Sequence, residues 1–313
     1  MSIRLLRRNT QPHRSSSATY LLWETADGAL VESSMLYISG RDPSWVCCLP
    51  SSVGCSLGCT ICAMPSVPSP RFLTASELQA ILDVSLAQTR AQGRLQVSFM
   101  GQGEPLLRPD GVFDFAERLL AAFPDVVIGV STVGIASGVK ALLGRPWVSR
   151  VKLQLSLHAW PPARRRPIIP AEVLHPFEDT LEILRQTRIG LPHAVCLNCV
   201  LLQGVNDSVA DAAQVAEVAG TGPFRVKLSG FNWWEGSGYA AASETAAERY
   251  ASVLRLRGIP VRRFESLGTA IGAGCGQTRL CRQMGPQGEV LFGASGIPKA
   301  AAEATTGVRD QAR

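Results

Sequence analysis

The chain has 313 residues, of which 46% are hydrophobic and 18% are charged, and its formal net charge is +6. A chain of this length and composition buries a substantial core, which excludes a disordered protein and a small domain held together by disulfides. No apolar segment reaches the length of a membrane span, and no apolar stretch follows the early Arg7-Arg8 pair. We therefore expect a cytoplasmic protein.

Arginine supplies nearly all of the positive charge. Arginine suits phosphate and carboxylate ligands, but a GC-rich codon bias explains the excess equally well, so charge alone leaves a nucleic-acid partner open. Residues 1–18 contain four arginines and no acid, which predicts a flexible basic arm. Residues 19–46 place two apolar stretches around the turn dipeptide Asp27-Gly28 and predict a β-hairpin.

Beyond the hairpin, strand-like and helix-like segments alternate six times. Strands are predicted at 45–49, 95–100, 126–131, 151–157, 194–202 and 224–231. Helices are predicted at 74–91, 111–122, 139–143, 177–188, 207–219 and 244–257, the first opened by a capping box of Thr74 and Glu77. Such units predict parallel strands with right-handed crossovers, in an open sheet or in a complete or partial barrel, and ligands bind at the carboxyl ends of the strands in each case. We assign 47–295 to this domain and 296–313 to a frayed tail.

Cysteines are concentrated at the start of this domain. Five of the nine lie between positions 47 and 62, and Cys55, Cys59 and Cys62 have the spacing C-x3-C-x2-C. Three soft thiolates on one loop suit an iron-sulfur cluster or a zinc ion. Zinc needs a fourth ligand, for which Cys48 is close enough in sequence.

Six short segments then carry a family resemblance. In chain order they read CLPSSVGC from Cys48, FLTA from Phe72, MGQGEPLL from Met100, SLHA from Ser156, GVND from Gly204 and CGQ from Cys275. Together they resemble the RlmN/Cfr family of radical S-adenosylmethionine (SAM) methyltransferases, the dual-specificity RNA adenine C2/C8 methyltransferases. The resemblance implies an α/β fold, a partial (β/α)6 TIM-like barrel with an N-terminal β-hairpin extension.

The resemblance also implies a cofactor site. Cys55, Cys59 and Cys62 would bind three irons of a 4Fe-4S cluster, and two SAM molecules would be used per turnover. The SAM contacts carried over from the family are Gly103 and Glu104 for the amino group, and Ser131, Ser156, His158 and Asn232 for the carboxylate and ribose. A flavodoxin-type or ferredoxin-type protein would donate the electron.

Three further residues acquire catalytic roles by resemblance. The cysteine that matches Cys275 receives a methyl group from one SAM in this family, and a radical formed from a second SAM then activates the S-methyl group for addition to an adenine carbon. The cysteine that matches Cys48 releases the product by forming a disulfide with it. Glu32 resembles the glutamate that accepts a proton from the target carbon, although the spacer to Cys48 is longer than usual.

The chain departs from the family in several places. We expect the accessory N-terminal domain of the family to be absent, the loop 267–274 has no acidic residue, and Pro50, Ser52 and Ile61 differ from the common pattern. Two substrate hypotheses follow, an adenine in RNA or a small heterocyclic metabolite or natural-product precursor. A third hypothesis, from another class, is a non-catalytic metal-binding module that binds RNA. We expect a monomer.

Other chemically suggestive residues have simpler interpretations. Cys47 should face the core, on the opposite side of its strand from Cys48. Cys196 and Cys199 would also point to opposite faces of a strand, which favours core packing over a metal half-site. The arginines at 164–166 suit either a phosphate ligand or a solvated turn, and the tryptophans at 233–234 suit either base stacking or rim packing.

Overall fold

The computed structural model describes residues 3–64, 69–91, 93–187, 191, 194–234, 236–271 and 274. Ten strands of this part of the chain form one sheet, and two short strands form a second. The strands are β1 (Ile3–His13), β2 (Ser16–Thr25), β3 (Leu30–Ile38), β4 (Ser44–Leu49), β5 (Ser52–Val53), β6 (Arg71–Phe72), β7 (Arg94–Phe99), β8 (Val127–Thr132), β9 (Val151–Ser156), β10 (Val195–Leu201), β11 (Phe224–Gly230) and β12 (Val261–Phe264). The large sheet has the order β1-β2-β3-β4-β7-β8-β9-β10-β11-β12.

Helices connect the parallel strands. They are α1 (Ala75–Thr89), α2 (Asp110–Ala122), α3 (Ala136–Leu143), α4 (Pro162–Arg165), α5 (Phe177–Gln186), α6 (Val209–Ala219) and α7 (Glu244–Leu256), with short 3-10 turns at Val148–Arg150, Pro170–Val173 and Thr269–Ile271. The predicted capping box at the start of α1 is present, with Glu77 N–H donating to the Thr74 hydroxyl and Thr74 N–H donating to the Glu77 carboxylate. No helix in the described residues is both long and apolar enough to cross a bilayer.

The seven strands from β4 to β12 in the large sheet are parallel. This part confirms the predicted α/β fold with a partial, open (β/α) arrangement, and all six predicted strands are present. The seventh strand, β12, was not predicted because its sequence, Val-Arg-Arg-Phe, is short and half charged. Its pairing with β11 is therefore decided by tertiary contacts.

Residues on these strands alternate between two faces. On one, which we call the helix face, apolar side chains such as Val97, Leu155 and Leu228 join the helices in the main core. The opposite face, which we call the cleft face, carries Ser131, Gln154 and other polar residues that line an open cleft. Buried parallel strands are usually apolar on both faces, so the polar alternation marks a side reserved for ligands.

The amino-terminal segment corrects one prediction. Residues 3–13 are not a flexible arm but form β1, which pairs antiparallel with β2. Ile3 is buried, Arg4 forms an ion pair with Glu24 across the strands, and the polar residues of this edge strand remain accessible to water. Because arginines interrupt the apolar alternation of β1, the sequence pattern does not predict this strand. The predicted hairpin at Asp27-Gly28 is confirmed, since β2 and β3 pair around Gly28 at φ +79°.

Candidate active site

Cys55, Cys59 and Cys62 lie on the loop between β5 and β6. All three thiols are half-buried and line one cleft of about 790 Å³. Thr60 fastens the loop to the segment after β9, because its N–H donates to the Ile168 carbonyl oxygen at 3.0 Å. Its hydroxyl also lies 2.9 Å from the Tyr239 hydroxyl. The thiols are thus held at a fixed edge of the sheet.

The chemistry of these donors fits an iron-sulfur cluster. Burial raises the pKa of the Cys55 thiol to about 11, and it also raises the pKa values of Cys59 and Cys62. The thiols are neutral at pH 7 unless a cationic centre stabilises their thiolates. Three thiol donors on one loop, each able to bind a separate iron, have the chemistry that a 4Fe-4S cluster requires.

Glu104 faces the cysteines across this cleft. The carboxylate accepts hydrogen bonds from the Val133 N–H at 2.8 Å and the Leu106 N–H at 3.1 Å, and also from the Thr132 hydroxyl. Burial nevertheless raises the pKa of Glu104 to about 7. Such a fixed, buried carboxylate is suited to bind an ammonium group, which would favour its ionised form.

Gly103 lets the turn that carries Glu104 pack closely against the loop after β4. Its φ is +91°, and a Cβ atom there would collide with the hydroxyl oxygens of Ser51 and Ser52. Only glycine fits both this backbone conformation and this close approach. The turn after β7 therefore packs tightly on the loop after β4 and leaves the cleft open.

The remaining predicted cofactor contacts lie at the ends of neighbouring strands. Ser131 lies one residue before the end of β8, and Ser156 is the last residue of β9. Both side chains line the cysteine cleft. An adjoining cleft of about 830 Å³ shares these two serines and also contains His158 and Asn232. The structure therefore brings the predicted cysteines, glutamate and strand-end residues around one continuous cleft.

His158 is held in an unusual conformation. Its φ is +60°, and its N–H donates to the Asn198 carbonyl oxygen at 3.1 Å. The Val200 N–H donates to the imidazole Nδ1 at 3.1 Å, so the neutral ring carries its proton on Nε2. Burial, with help from the cations Arg165 and Lys227, lowers the pKa of His158 to about 3. The ring is therefore a neutral donor at pH 7.

Comparison with known proteins agrees with this geometry. The model of the radical SAM superfamily matches residues 49–216. A probable dual-specificity RNA methyltransferase RlmN of Opitutus terrae is 33% identical over 86% of this chain and 78% of its own length. The dual-specificity RNA methyltransferase RlmN of Anaeromyxobacter dehalogenans is 31% identical over 90% of this chain and 76% of its own length. This chain belongs to the RlmN-type family of radical SAM methyltransferases.

A solved structure extends the likeness to three dimensions. The radical SAM methyltransferase from Sphaerobacter thermophilus superposes with a TM-score of 0.79 at 28% identity, covering 88% of this chain and 81% of that one. Membership of the radical SAM family implies a 4Fe-4S cluster, SAM and a reductant. Cys55, Cys59 and Cys62 supply three thiol donors at this cleft that could hold such a cluster.

Two of the three predicted catalytic residues, Cys48 and Glu32, lie in the described part of the chain. Cys48 pairs in register with Ser98, whereas Cys47 is fully buried in the core on the helix face, so the two cysteines point to opposite sides as expected. Glu32 is buried, and its N–H donates to the Gln102 side chain at 2.7 Å, which places it beside the turn that carries Gly103. Cys275 lies outside the described residues.

The sequence did not reveal the role of Arg165. Both earlier hypotheses for this arginine, a phosphate ligand and a solvated residue, are wrong, since its side chain is fully buried in an ion pair with Glu172. The guanidinium also donates to the carbonyl oxygens of Val133 at 2.6 Å and Ser156 at 2.9 Å, and it lies over the Phe177 ring. It thereby ties together the ends of β8 and β9 at the radical SAM site.

Asn206 is a second residue whose role the sequence did not reveal. Its amide nitrogen donates to the carbonyl oxygens of His158 and Val200, each at 2.8 Å, and its oxygen accepts from the Leu202 N–H at 2.7 Å. It fixes the turn after β10 against His158. The Trp234 indole donates to the Ile61 carbonyl oxygen at 3.3 Å, which supports rim packing against the cysteine loop for this residue.

Proposed function

We propose that this chain is a radical SAM C-methyltransferase that methylates an unreactive sp2 carbon of adenine in RNA through an S-methylcysteine at Cys275. The observation that carries the proposal is the common cleft of Cys55, Cys59, Cys62 and Glu104. The relatives that carry the name RNA methyltransferase support RNA as the substrate class. The same chemistry on a small heterocycle is the alternative.

In this proposal, Cys55, Cys59 and Cys62 bind the cluster, and Glu104 orients SAM through its amino group. Ser131, Ser156, His158 and Asn232 contact the carboxylate and ribose. When bound, the cluster and SAM supply the methyl group and the radical chemistry. The chain contributes position and exclusion of water.

The chain's own groups then carry out the thiol and proton steps. Cys275 loses its thiol proton and accepts a methyl group. A hydrogen atom from this methyl group and one electron pass to the bound cofactors as its carbon bonds to the substrate carbon, which leaves a thioether bridge. Glu32 accepts the proton that leaves this carbon. The Cys48 thiolate attacks the Cys275 sulfur, so a Cys48–Cys275 disulfide forms as the sulfur–methylene bond breaks, and the released carbon takes up a proton to become a methyl group. A reductant must cleave the disulfide before the next turnover.

The test is replacement of Cys48 by alanine in the holoenzyme. With this thiol absent, the bridge between Cys275 and substrate has no attacking group, so a covalent adduct should accumulate and be visible by intact mass and peptide mapping. Cys47→Ala is the matched control, because Cys47 lies one residue away and on the helix face. It should turn over normally.

The adduct mass separates the two substrate classes. An oligonucleotide mass after nuclease treatment would support RNA, whereas a small heterocycle would support the alternative. Normal turnover by Cys48→Ala would refute the role assigned to Cys48. Absence of any methyl group on Cys275 after incubation with SAM would refute the S-methylcysteine route.

A further inference from the structure

The cleft face of the parallel strands is strongly basic. Its described positions include no Asp or Glu, and its cationic residues are Arg94, Lys152, Arg225, Lys227 and Arg262. Contacts place these side chains on one side: Lys152 donates to Gln96 at 2.9 Å and Lys227 donates to Gln154 at 3.0 Å. Desolvation and the charges of Arg225, Arg94 and Arg262 lower the pKa of Lys152. This face therefore carries a positive potential.

Lys227 is the cation that reaches the cleft shared with the cysteines. It lines this cleft together with Cys59, His158 and Asn232. Its ammonium donates to the Gln154 amide oxygen and lies 4.1 Å from the centre of the Phe264 ring. Neither of these partners carries a charge, so they leave the ammonium without the full compensation that a partly buried cation needs.

The surroundings of Lys227 provide further donors. Gln154 donates to the Ser131 hydroxyl at 3.0 Å, which connects Lys227 to a predicted SAM contact. Asn198 accepts from the Ser229 hydroxyl at 2.8 Å, and among the described residues its amide N–H groups have no hydrogen-bond acceptor, which leaves them for a ligand. All five side chains line the same cleft. A cation and an amide that line one cleft form a site for an oxyanion.

SAM does not account for this charge. Its sulfonium is positive, so a basic floor would repel that part of the molecule. Its amino group is assigned to Glu104, and its carboxylate to the strand-end serines, His158 and Asn232. Lys227 is not among these contacts, although it aligns with Ser156 through Asn198 in the strand register, so its ammonium is available to a second ligand.

We propose that Lys227 binds an oxyanion, a phosphate or a carboxylate, on the substrate that receives the methyl group. The assignment of this ligand as the methyl acceptor rests on the proposed function. The oxyanion would lie against the ammonium, with the Asn198 amide beside it and the Phe231 and Phe264 rings near the heterocycle. Lys227 would then select anionic substrates over neutral ones.

The test compares matched pairs of small probes by calorimetry on the cluster-loaded full chain. Adenosine monophosphate is compared with adenosine, and nicotinate with nicotinamide, so each pair differs in one anionic group. Lys227→Met should weaken binding of the anion that occupies this site about 10- to 100-fold, as expected for loss of one charge-assisted hydrogen bond. Binding of the neutral member of the same pair should be unchanged. Lys227→Arg should retain part of the affinity.

Lys152→Met is the control, because Lys152 is on the same face and also donates to one glutamine, but does not line this cleft. It should bind both anions as the unaltered protein does. If Lys227→Met loses affinity only for adenosine monophosphate, the ligand of Lys227 is a nucleotide phosphate. If it loses affinity only for nicotinate, the ligand is a small carboxylate. The proposal is overturned if neither anion binds, if Lys227→Met binds both normally, or if Lys152→Met causes the same loss.

These outcomes are independent of methyl transfer. Anion binding that depends on Lys227, together with a Cys48→Ala variant that forms no adduct, would leave the oxyanion site in place and remove the methylation proposal. Adduct formation by Cys48→Ala, with anion binding that does not depend on Lys227, would support the methylation proposal and remove the oxyanion site.

Discussion

Two cations near the candidate active site are treated differently by the fold. Arg165 is fully buried, and its charge is matched by Glu172 and by carbonyl oxygens at the ends of β8 and β9. Lys227 is half-buried, and its hydrogen-bond partner is an uncharged amide. The first arrangement is complete without a ligand, whereas the second is not. Compensation of charge, more than its burial, separates a structural cation from one that is available to bind.

The largest effect should come from breaking the compensated pair. Arg165→Met leaves the Glu172 carboxylate buried without its partner and should lower the free energy of unfolding by about 3 to 5 kcal/mol. Denaturant titration measures this loss. Lys227 forms no ion pair with any residue that the structure describes, so Lys227→Met should leave the free energy of unfolding unchanged or raise it.

A double variant sharpens the interpretation. Arg165→Met combined with Glu172→Gln removes both charges and should recover a large part of the lost stability. A loss below about 1 kcal/mol for the single Arg165 variant would show that the pair does not hold the strand ends together.

A second, smaller effect concerns His158, which burial, with help from both cations, keeps neutral. The pKa of His158 is about 3 in the folded chain against 6.5 for the free side chain. The unfolded chain therefore binds a proton below pH 6.5 that the folded chain does not, and stability falls as the pH falls. Between pH 7 and pH 5 this residue should remove about 2 kcal/mol of unfolding free energy.

The contribution of His158 is isolated by a variant. His158→Asn keeps a side chain that tolerates a positive φ but does not titrate in this range. Its stability should decline less steeply with falling pH than that of the unaltered protein. Identical slopes would mean that His158 is protonated in the folded state.

The smallest effect compares the two faces of β4. Cys47→Ser places a hydroxyl in the apolar core of the helix face and should cost about 1 kcal/mol, whereas Cys48→Ser, on the cleft face, should change stability by less than about 0.5 kcal/mol. Chemical denaturation of both variants checks the difference. Equal losses would contradict the assignment of the two thiols to opposite faces.

Much of this architecture was predictable because its signals are local. The capping box of Thr74 and the alternation within β7 to β11 involve residues close in sequence, so the strands and helices of the parallel half were found. β1, β12, Arg165 and Asn206 were not. β1 pairs with the strand that follows it, but its arginines interrupt the apolar alternation. The other three depend on partners farther along the chain, such as the Val133 carbonyl that accepts from Arg165 or the edge of β11 that receives β12. From composition alone, an arginine such as Arg165 is expected to be solvated.

The two outermost strands of the large sheet share a property that bears on self-association. β1 carries Arg4, Arg7 and Arg8, and β12 carries Arg262 and Arg263. An exposed strand edge is a template on which another chain can add a strand, and like charges along it oppose that addition. The arginines at both ends of the sheet therefore guard against edge-to-edge aggregation during folding and at high concentration.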